Sequence, residues 1–307
     1  MTQLEHNPSF STLMNTVMTN TPYLPEADVT ASLIELTDEQ RNEVIAFLAE
    51  RPLHTVCIAG FVRDNGLVSP YNRGTFYGCR NSEGRLEGVA LIGHATLIEA
   101  RTSRAMQMFG LAAQACPRKH IILGEKDKVE QFWNYYADEG QQMRRAGREL
   151  MFELRRPMQA SEKVEGLRRA TLDDLEQIAS VQAAMAEAES GINPLEVDPI
   201  GFRARCARRI EMGRVWVLEE DGQLLFKADI QADTPDVVYL EGVWVDPAER
   251  GKGVGRKCLR QLCGDLLAST KSVCVLVNQE NERAHIFYRM CNFKVRGIYD
   301  CIFLQQP

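Results

Sequence analysis

Several common signals are missing from this 307-residue chain, and each absence excludes a class of protein. No segment approaches the roughly 20 consecutive apolar residues that a membrane-spanning helix requires. The first 40 residues contain no lysine or arginine, which argues against a secretory signal and against an arginine-rich transit peptide. We therefore expect a cytoplasmic protein with no membrane partner.

A net positive charge is missing as well. The chain has 42 acidic and 36 basic residues and a formal net charge of −6 at pH 7. The acidic residues among the first 40 account for that value, so the rest of the chain is electrically balanced. A basic field of the kind that attracts nucleic acid is therefore lacking, and we expect no nucleic-acid partner.

Paired cysteines are also missing. The nine cysteines are odd in number, scattered along the chain, and include no C-x-x-C pair. This pattern favours reduced structural thiols over a disulfide framework or a zinc site, with a reactive cysteine as the alternative. We expect no bound metal.

The length allows two domains of about 150 residues each. Residues 1–30 are rich in Thr, Asn, Ser and Pro and predict a flexible N-terminal arm. A polar stretch at 157–165 predicts a linker between a domain at 31–156 and a domain at 166–307. Predicted strands and helices alternate in both halves, which indicates an α/β (α+β) mixed sheet, and the apolar run His54–Val62 is interpreted as one of the strands.

An unusual segment follows a predicted strand in the second half: VWVDPAERGKGVGRKCL, residues 243–259. It places three glycines in a basic hexapeptide at the start of a predicted helix, although glycine in a helix interior costs roughly 1 kcal/mol relative to alanine. Two interpretations of these glycines compete. In the first, the glycines only supply unusual backbone angles in a tight turn. In the second, they let several backbone N–H groups converge on an oxyanion at a helix N-terminus. The second interpretation is favoured, because a plain turn has no use for the four cations Arg250, Lys252, Arg256 and Lys257.

The spacing of these residues excludes two common phosphate loops. A dinucleotide fingerprint needs glycine where Arg256 stands, and a P-loop needs Gly-Lys followed by serine or threonine. The pattern that fits is R-x-x-G-x-G, at Arg250, Gly253 and Gly255. This pattern resembles the signature with which the GNAT superfamily of N-acetyltransferases binds the pyrophosphate of coenzyme A.

A second segment, NERAHIFYRMCNF at residues 281–293, resembles a later motif of that superfamily, N-x-x-A-x-x-F/L-Y-x-x-x-G-F. The matching positions are Asn281, Ala284, Phe287, Tyr288 and Phe293. Asn292 replaces the glycine of the motif, and asparagine also tolerates left-handed backbone angles. The resemblance implies a GNAT fold from residue 166 onward. The element order of the first half resembles a degenerate GNAT-like domain, so two tandem GNAT-like domains are expected.

The resemblance implies that the second domain binds acetyl-CoA as a co-substrate. Backbone N–H groups of Val243, Trp244 and Val245 would contact the pantetheine arm and the thioester. Asn281 would hydrogen-bond the pantetheine region. The pyrophosphate would be held by the loop and the first helical turn, which comprise Arg250, Gly251, Lys252, Gly253, Val254, Gly255 and Arg256.

The same resemblance implies that Tyr288 protonates the leaving thiolate, since a phenol of pKa about 10 and a thiol of about 8.5 can share a proton. The alternative is a packed aromatic residue on a helix face. Glu241 is the candidate general base, because strand alternation puts it on the same face as Val243 and Val245, near the expected acetyl group. A half-exposed strand glutamate with a structural partner is the alternative.

In the superfamily the first helix pair and its loop usually select the acceptor, and here that region contains Glu187, Glu189, Glu196 and Asp198. An acidic mouth suits a cationic amine such as a polyamine, an aminoglycoside-like compound or a lysine side chain; a solvated acidic surface is the alternative. In the first half the corresponding segment LIEARTSRAMQM, residues 97–108, has no glycine, so we do not expect it to bind coenzyme A.

These inferences predict an N-acetyltransferase that moves an acetyl group from acetyl-CoA to a primary amine of a small molecule or peptide by direct attack in a ternary complex. The alternatives are a non-catalytic acyl-CoA-binding or sensing module and an acyl donor longer than acetyl. The oligomeric state stays open, with a homodimer as one option.

Overall fold

The computed structural model describes residues 31–116, 119–157 and 163–305. The predicted N-terminal arm (residues 1–30) and the middle of the predicted linker (residues 158–162) lie outside the described residues. In the described ranges no helix is both long enough and apolar enough to cross a membrane.

Strands and helices alternate along both halves of the chain. The strands are, in chain order, β1 Ser32–Glu35, β2 Gly74–Arg80, β3 Leu86–Gly93, β4 Ala95–Ala100, β5 Ile121–Glu125, β6 Met143–Leu154, β7 Arg168–Arg169, β8 Val215–Glu220, β9 Gln223–Asp233, β10 Val237–Val245, β11 Ser272–Asn278 and β12 Lys294–Leu304. The α-helices are α1 Arg41–Ala49, α2 Pro52–Asn65, α3 Ser103–Gln114, α4 Lys126–Tyr136, α5 Leu175–Ser190, α6 Pro194–Val197, α7 Pro199–Glu211, α8 Val254–Leu266 and α9 Glu282–Met290.

The strands form one 12-stranded mixed sheet in the order β1-β2-β3-β4-β5-β12-β6-β11-β10-β9-β8-β7. β6 ends the first half (residues 31–157), yet it pairs with β11 of the second half (residues 163–305). β12 ends the second half, yet it pairs with β5 of the first. The halves have therefore exchanged their last strands, which pair with each other at the centre of the sheet.

The two halves repeat one arrangement around this central pair. Each half contains two parallel strands joined through a helix, β4-α3-β5 and β10-α8-β11, and a second helix follows. Glu149 of β6 lies opposite Tyr299 of β12. The same two residues also lie opposite the ends of the parallel strands, at Asn278 of β11 and Glu125 of β5. Positions in one half therefore have counterparts in the other.

The central strands carry a core on each face. On one face Phe152, Leu240 and Val275 pack with side chains of α8 and α9. On the other face Met151 and Tyr239 pack with α2. Because successive strand residues point to opposite faces, β6 and β10 are apolar on both sides along this part of the sheet.

The predicted strand at His54–Val62 is wrong, because these residues belong to helix α2. Pro52 occupies the first turn, where its missing N–H would be unbonded in any case. Val56 packs with second-half residues, whereas Ile58 packs in the core of the first half. Apolar residues on more than one side hide the helical period in the sequence.

α2 also joins the two halves. A Cβ on Gly60 would lie 2.5 Å from the Cβ of Ala232, so glycine lets this helix approach β9 closely. Asp64 at the end of α2 forms a two-pronged ion pair with Arg214, with 2.7 Å between Nη2 and Oδ1. These contacts bind a first-half helix to the sheet of the second half.

All nine cysteines are free thiols. Burial raises the pKa of Cys57, Cys258 and Cys301 to about 12 each, so these thiols stay protonated near neutral pH. A protonated buried thiol is a poor nucleophile and acts as a small apolar side chain.

Candidate active site

β10 and β11 separate before either strand ends. Their last paired residues are Leu240 and Val275. β10 continues to Val245, whereas β11 remains paired with β6 as far as Asn278. Residues 241–245 therefore extend past the paired region, and their backbone groups on the β11 side are available to an extended ligand.

A bulge at Gly242 bends β10 where the strands separate. Glu241 lies opposite Asp229 of β9, but the next paired residue is Trp244, opposite Lys227. Gly242 has a φ of +58°, a backbone angle that glycine adopts without strain. The extra residue widens the end of the strand and changes which side chains share a face.

This bulge corrects the expected orientation of Glu241. A regular strand would place Glu241, Val243 and Val245 on one face. Instead, Val243 and Val245 pack with the core beneath α8 and α9. Glu241 lies on the opposite face, where its Oε2 is 3.7 Å from Nη1 of Arg209 in α7. The shared face predicted from alternation is wrong, because alternation assumes that no residue is inserted.

The glycine-rich loop leaves the N-terminus of α8 unblocked. Gly253, the N-cap, has a φ of +91° and no capping side chain. The first helical hydrogen bond runs from Lys257 N to Gly253 O at 3.1 Å, so residues 254–256 have no backbone acceptor within the described ranges. A Cβ built on Gly251 or Gly253 would meet nothing within 4 Å. Unbonded N–H groups at the positive end of a helix dipole are suited to an anion.

Gly255 has a different role from the other two glycines. A Cβ there would lie 2.4 Å from Cγ2 of Val245 and 3.4 Å from Cε2 of Phe287. Glycine therefore allows α8 to pack directly against the end of β10. Gly251 and Gly253, with φ of +84° and +91°, supply the backbone angles of the loop.

Basic side chains surround this helix N-terminus. Arg250 donates from Nε to the carbonyl of Val245 at 3.1 Å, which ties the loop to the strand. Lys252 pairs with Glu249 at 2.9 Å. Arg256 is half-buried and has no hydrogen bond or ion pair with another described residue. Its guanidinium is therefore available to an external phosphate.

Asn281 and Tyr288 lie at the start and near the end of α9. Oδ1 of Asn281 accepts from Ala284 N at 3.1 Å and caps the helix, which leaves the amide nitrogen of Asn281 as a donor. Tyr288 is 5% exposed, and its ring centroid lies 5.9 Å from that of Phe152 and 5.4 Å from that of Phe293. Burial raises the pKa of Tyr288 above its ordinary value, so the phenol is protonated at neutral pH.

A buried ion-pair network holds the bulge. Nζ of Lys227 lies 2.7 Å from Oδ1 of Asp229, 2.8 Å from Oε1 of Gln182 and 3.3 Å from the carbonyl oxygen of Gly242. Arg209 donates to the other oxygen of Asp229 at 2.9 Å. Lys227 is completely buried. Because it bonds the carbonyl of the bulged residue, it fixes the backbone where β10 leaves β11.

Three carboxyl groups, the carboxyl cluster, converge beside this bulge: Glu241, Glu149 of β6 and Glu189 of α5. Burial, followed by the charges of Glu189 and Glu241, raises the pKa of Glu149 to about 7. Burial and the charge of Glu241 raise the pKa of Glu189 to about 7 as well. The Glu189 side chain is exposed at the surface, yet many protein atoms surround its carboxyl group.

The sequence did not indicate Glu149 as a site residue, because Glu149 lies in the first half and joins the carboxyl cluster only through the exchange of β6. The predicted acidic mouth is in part neutralised. Asp198 caps α7 by accepting from Gly201 N at 2.9 Å, and its other oxygen pairs with Arg205 at 2.9 Å. Glu189 is the member of that predicted set that joins Glu149 and Glu241.

The counterparts of these residues in the first half have different chemistry. Where α8 has Gly253, α3 has Thr102, whose hydroxyl caps the helix by accepting from Ala105 N at 3.2 Å. Tyr288 lies seven residues after the N-cap of α9. The residue at the same distance from the N-cap of α4 is Phe132. The first half thus has a capped helix and no hydroxyl at the corresponding position.

Side chains narrow the space between the diverging ends of β4 and β5 to a small cavity, whose lining includes Leu97, Leu123 and Glu125. Arg51 bonds Glu99 at 3.0 Å and Glu125 at 2.8 Å, and both carboxylates lie past the last paired residues of these strands. His54 bonds the hydroxyl of Tyr299 at 2.8 Å in the same region. The expectation that the first half does not bind coenzyme A stays a prediction.

Comparison with known proteins gives consistent matches. Residues 211–295 match the family model of the acetyltransferase (GNAT) domain. An acetyltransferase of the GNAT family from Colwellia psychrerythraea is similar over 90% of this chain and 100% of its own, with 13% identity and a TM-score of 0.57. A Drosophila protein gives a TM-score of 0.64 at 11% identity, covering 91% of this chain and 99% of its own.

A tandem GNAT protein from the clavulanic acid biosynthesis pathway covers 88% of this chain and 98% of its own, with 10% identity and a TM-score of 0.52. No curated protein matches the sequence significantly. At these identities the structural likenesses establish the fold.

Proposed function

We propose that the protein transfers an acetyl group from acetyl-CoA to a primary amine. The premise is that residues 211–295 match the acetyltransferase (GNAT) domain model and that the chain has the mixed α/β GNAT fold, which confirms the predicted fold class. The observation that carries the proposal is the separation of β10 from β11 beside the uncapped N-terminus of α8. The two features together offer strand-like backbone bonding to the pantetheine arm and an anion site for the pyrophosphate.

Binding of the donor follows from this arrangement. The N–H groups of residues 254–256 and the guanidinium of Arg256 would hold the pyrophosphate, with Arg250 and Lys252 adding positive charge. The backbone of residues 243–245 would bond the pantetheine arm and polarise the acetyl carbonyl. The amide nitrogen of Asn281 would donate to the pantetheine region.

Direct attack requires two proton transfers. The amine nitrogen bonds to the acetyl carbon, the C–S bond breaks, and the sulfur leaves as a thiolate. The phenol of Tyr288 is protonated at neutral pH and would give its proton to that thiolate. A carboxylate would take the proton that the attacking amine loses.

We propose that this carboxylate belongs to the carboxyl cluster. Glu149 combines a pKa of about 7 with the absence of an ion pair or side-chain hydrogen bond to other described residues. That pKa suits a general base near neutral pH. Glu241, the base predicted from the sequence, is the second candidate, and its carboxylate lies 3.7 Å from Arg209. The first half would then take part in catalysis by supplying β6.

The decisive experiment measures thiol release from acetyl-CoA in the presence of polyamines, aminoglycosides, amino acids and peptide N-termini. We expect turnover with at least one class and one coenzyme A site per chain by calorimetry. Calorimetric binding without turnover of any amine would instead support the acyl-CoA sensor.

Tyr288→Phe tests the acid, with Tyr136→Phe as the control that removes a buried phenol from the first half. We expect Tyr288→Phe to lower kcat at least about 100-fold with little change in the KM for acetyl-CoA. Equal kcat values for the two variants would exclude Tyr288 as the acid.

The base is tested by the pH profile of kcat/KM. Activity should fall as pH drops below about 7, because the carboxyl becomes protonated and can no longer accept the amine proton. Glu149→Gln should lower the plateau rate and abolish this fall. If Glu241→Gln does so and Glu149→Gln does not, the base is Glu241.

A further inference from the structure

A second group of ionisable side chains lies where the first half meets α5 and α7. Its members, the cationic cluster, come from separate segments of both halves: Arg73, His94, His120, Arg144 and Arg205. Their charges act on one another: Arg73 and Arg205 both lower the pKa of His94, and Arg73 and Arg144 both lower that of His120. Phe303 also connects two of these side chains, because its ring centroid lies 5.7 Å from that of His120 and 5.8 Å from Cζ of Arg144.

His94 is arranged as a hydrogen-bond donor, and His120 stacks on it. Their rings stack with centroids 4.9 Å apart and an interplanar angle of 4°. Nη2 of Arg73 lies 3.1 Å from Nδ1 of His94. A guanidinium can only donate, so Nδ1 accepts and the proton of His94 is on Nε2. Burial and the neighbouring cations lower the pKa of His94 to about 3, so it is a neutral donor at physiological pH.

Positive charge in this cluster exceeds the available negative charge. Three members are arginines, and Asp198 is the carboxylate that acts on Arg73. Asp198 is already paired with Arg205 at 2.9 Å. Arg144 donates to the carbonyl of Ser190 at 2.6 Å and forms no ion pair with a described residue. Converging guanidinium and imidazole donors with so little compensating charge are suited to an anion.

The cationic cluster and the carboxyl cluster both reach the C-terminal end of α5. Arg144 bonds the last residue of α5, Ser190, and Glu189 of the carboxyl cluster directly precedes it. Arg144 and Glu149 are five positions apart on β6, so their backbones are separated by roughly 17 Å along the strand. The length of the arginine side chain shortens the distance between the two charged groups. A molecule with an amine at one end and an anion at the other would meet both clusters.

We propose that the cationic cluster binds a carboxylate of the amine acceptor, so that the acceptor is an amino acid or short peptide whose acid group is several bonds from the reacting amine. This inference rests on the proposed function, because the carboxyl cluster places the amine end. It differs from a purely cationic acceptor such as a polyamine, which the cationic cluster would repel.

The test compares unbranched ω-amino acids with alkylamines of the same chain length, by thiol release and by calorimetry on the full chain saturated with coenzyme A. The variants are Arg144→Gln and Arg73→Gln. Arg203→Gln is the control, because Arg203 is a partly exposed arginine that pairs with Glu176 outside the cluster. Among the described residues Arg73 makes no hydrogen bond or ion pair with α5, so its variant separates loss of the anion site from loosening of that helix.

In the unaltered protein, kcat/KM for the best ω-amino acid should exceed that for the matching alkylamine at least about 10-fold. Arg144→Gln and Arg73→Gln should each remove most of this preference through KM, and Arg203→Gln should keep it. Equal use of both series, or a preference that survives both variants, would overturn the inference and leave acetyl transfer standing. If no amine is acetylated but ω-amino acids bind and the variants abolish binding, the proposed function fails and the anion site stands. Absence of both turnover and binding for every ω-amino acid overturns the site.

Discussion

Replacing Gly255 by alanine tests whether close packing of α8 on β10 forms the donor site. The new Cβ would lie 2.4 Å from Cγ2 of Val245, about 1 Å closer than ordinary contact. Val245 cannot give way easily, since its χ1 is restricted by β-branching and its carbonyl accepts from Arg250. The helix must therefore move away from the strand.

Two energies oppose each other in this variant. Alanine gains about 1 kcal/mol over glycine inside a helix, and overpacking costs about 1–3 kcal/mol or more. The severe contact makes the cost larger, so we expect a net loss of about 1–2 kcal/mol in the free energy of unfolding. Gly264→Ala is the matched control, because it lies on the same helix and a Cβ there meets nothing within 4 Å. That variant should be stabilised by up to about 1 kcal/mol.

The assay is chemical unfolding of both variants together with the KM for acetyl-CoA. Gly255→Ala should raise this KM several-fold, because residues 254–256 would no longer point at the pyrophosphate, and Gly264→Ala should leave it unchanged. Equal stability and equal KM in the two variants would refute the claim that Gly255 positions the helix.

Three further changes have expected outcomes. Lys227→Met should lower the free energy of unfolding by about 3 kcal/mol, because it leaves Asp229 buried with one cation fewer. A denaturant titration measures the loss, and an unchanged midpoint would mean that the bulge does not depend on this lysine. Glu149→Gln should raise the free energy of unfolding by about 2 kcal/mol at pH 8 but hardly at pH 4. A carboxyl whose pKa is raised in the folded protein opposes folding once the pH exceeds the pKa of that carboxyl in the unfolded chain. Calorimetric unfolding at both pH values checks the sign. Gly253→Ala should lower the free energy of unfolding by about 1–2 kcal/mol, because a φ of +91° is strained for alanine. It should also weaken coenzyme A binding in a titration, and unaffected binding would contradict the assigned loop geometry.

The loop proposed for the donor side could be singled out from the sequence because its information is local. Arg250, Gly253 and Gly255 follow one another within six residues, and their spacing alone distinguishes this loop from other phosphate loops. The fold class could likewise be predicted from strand and helix order, since hydrophobic periodicity is a local property.

The proposed acceptor side could not be predicted, because its residues are brought together by distant parts of the chain. Glu149 joins the carboxyl cluster through the exchange of β6, and no spacing in the sequence encodes the pairing of β6 with β11. The face of Glu241 depended on one inserted residue at Gly242, which alternation cannot detect. Helix α2 was mistaken for a strand because burial on several sides removed its period.

The exchanged strands also impose an order of events on folding. During synthesis β5 and β6 would form without the strand that separates them, until residues 294–304 have left the ribosome. Until then the first half presents unpaired strand edges, which are prone to join other chains. Long-range pairing of this kind is slow, because the loop must close before any contact compensates for the lost entropy. Cutting the chain between the halves would consequently not release two independent domains: each fragment would retain one strand that belongs in the sheet of the other, and only the two fragments together could rebuild the site.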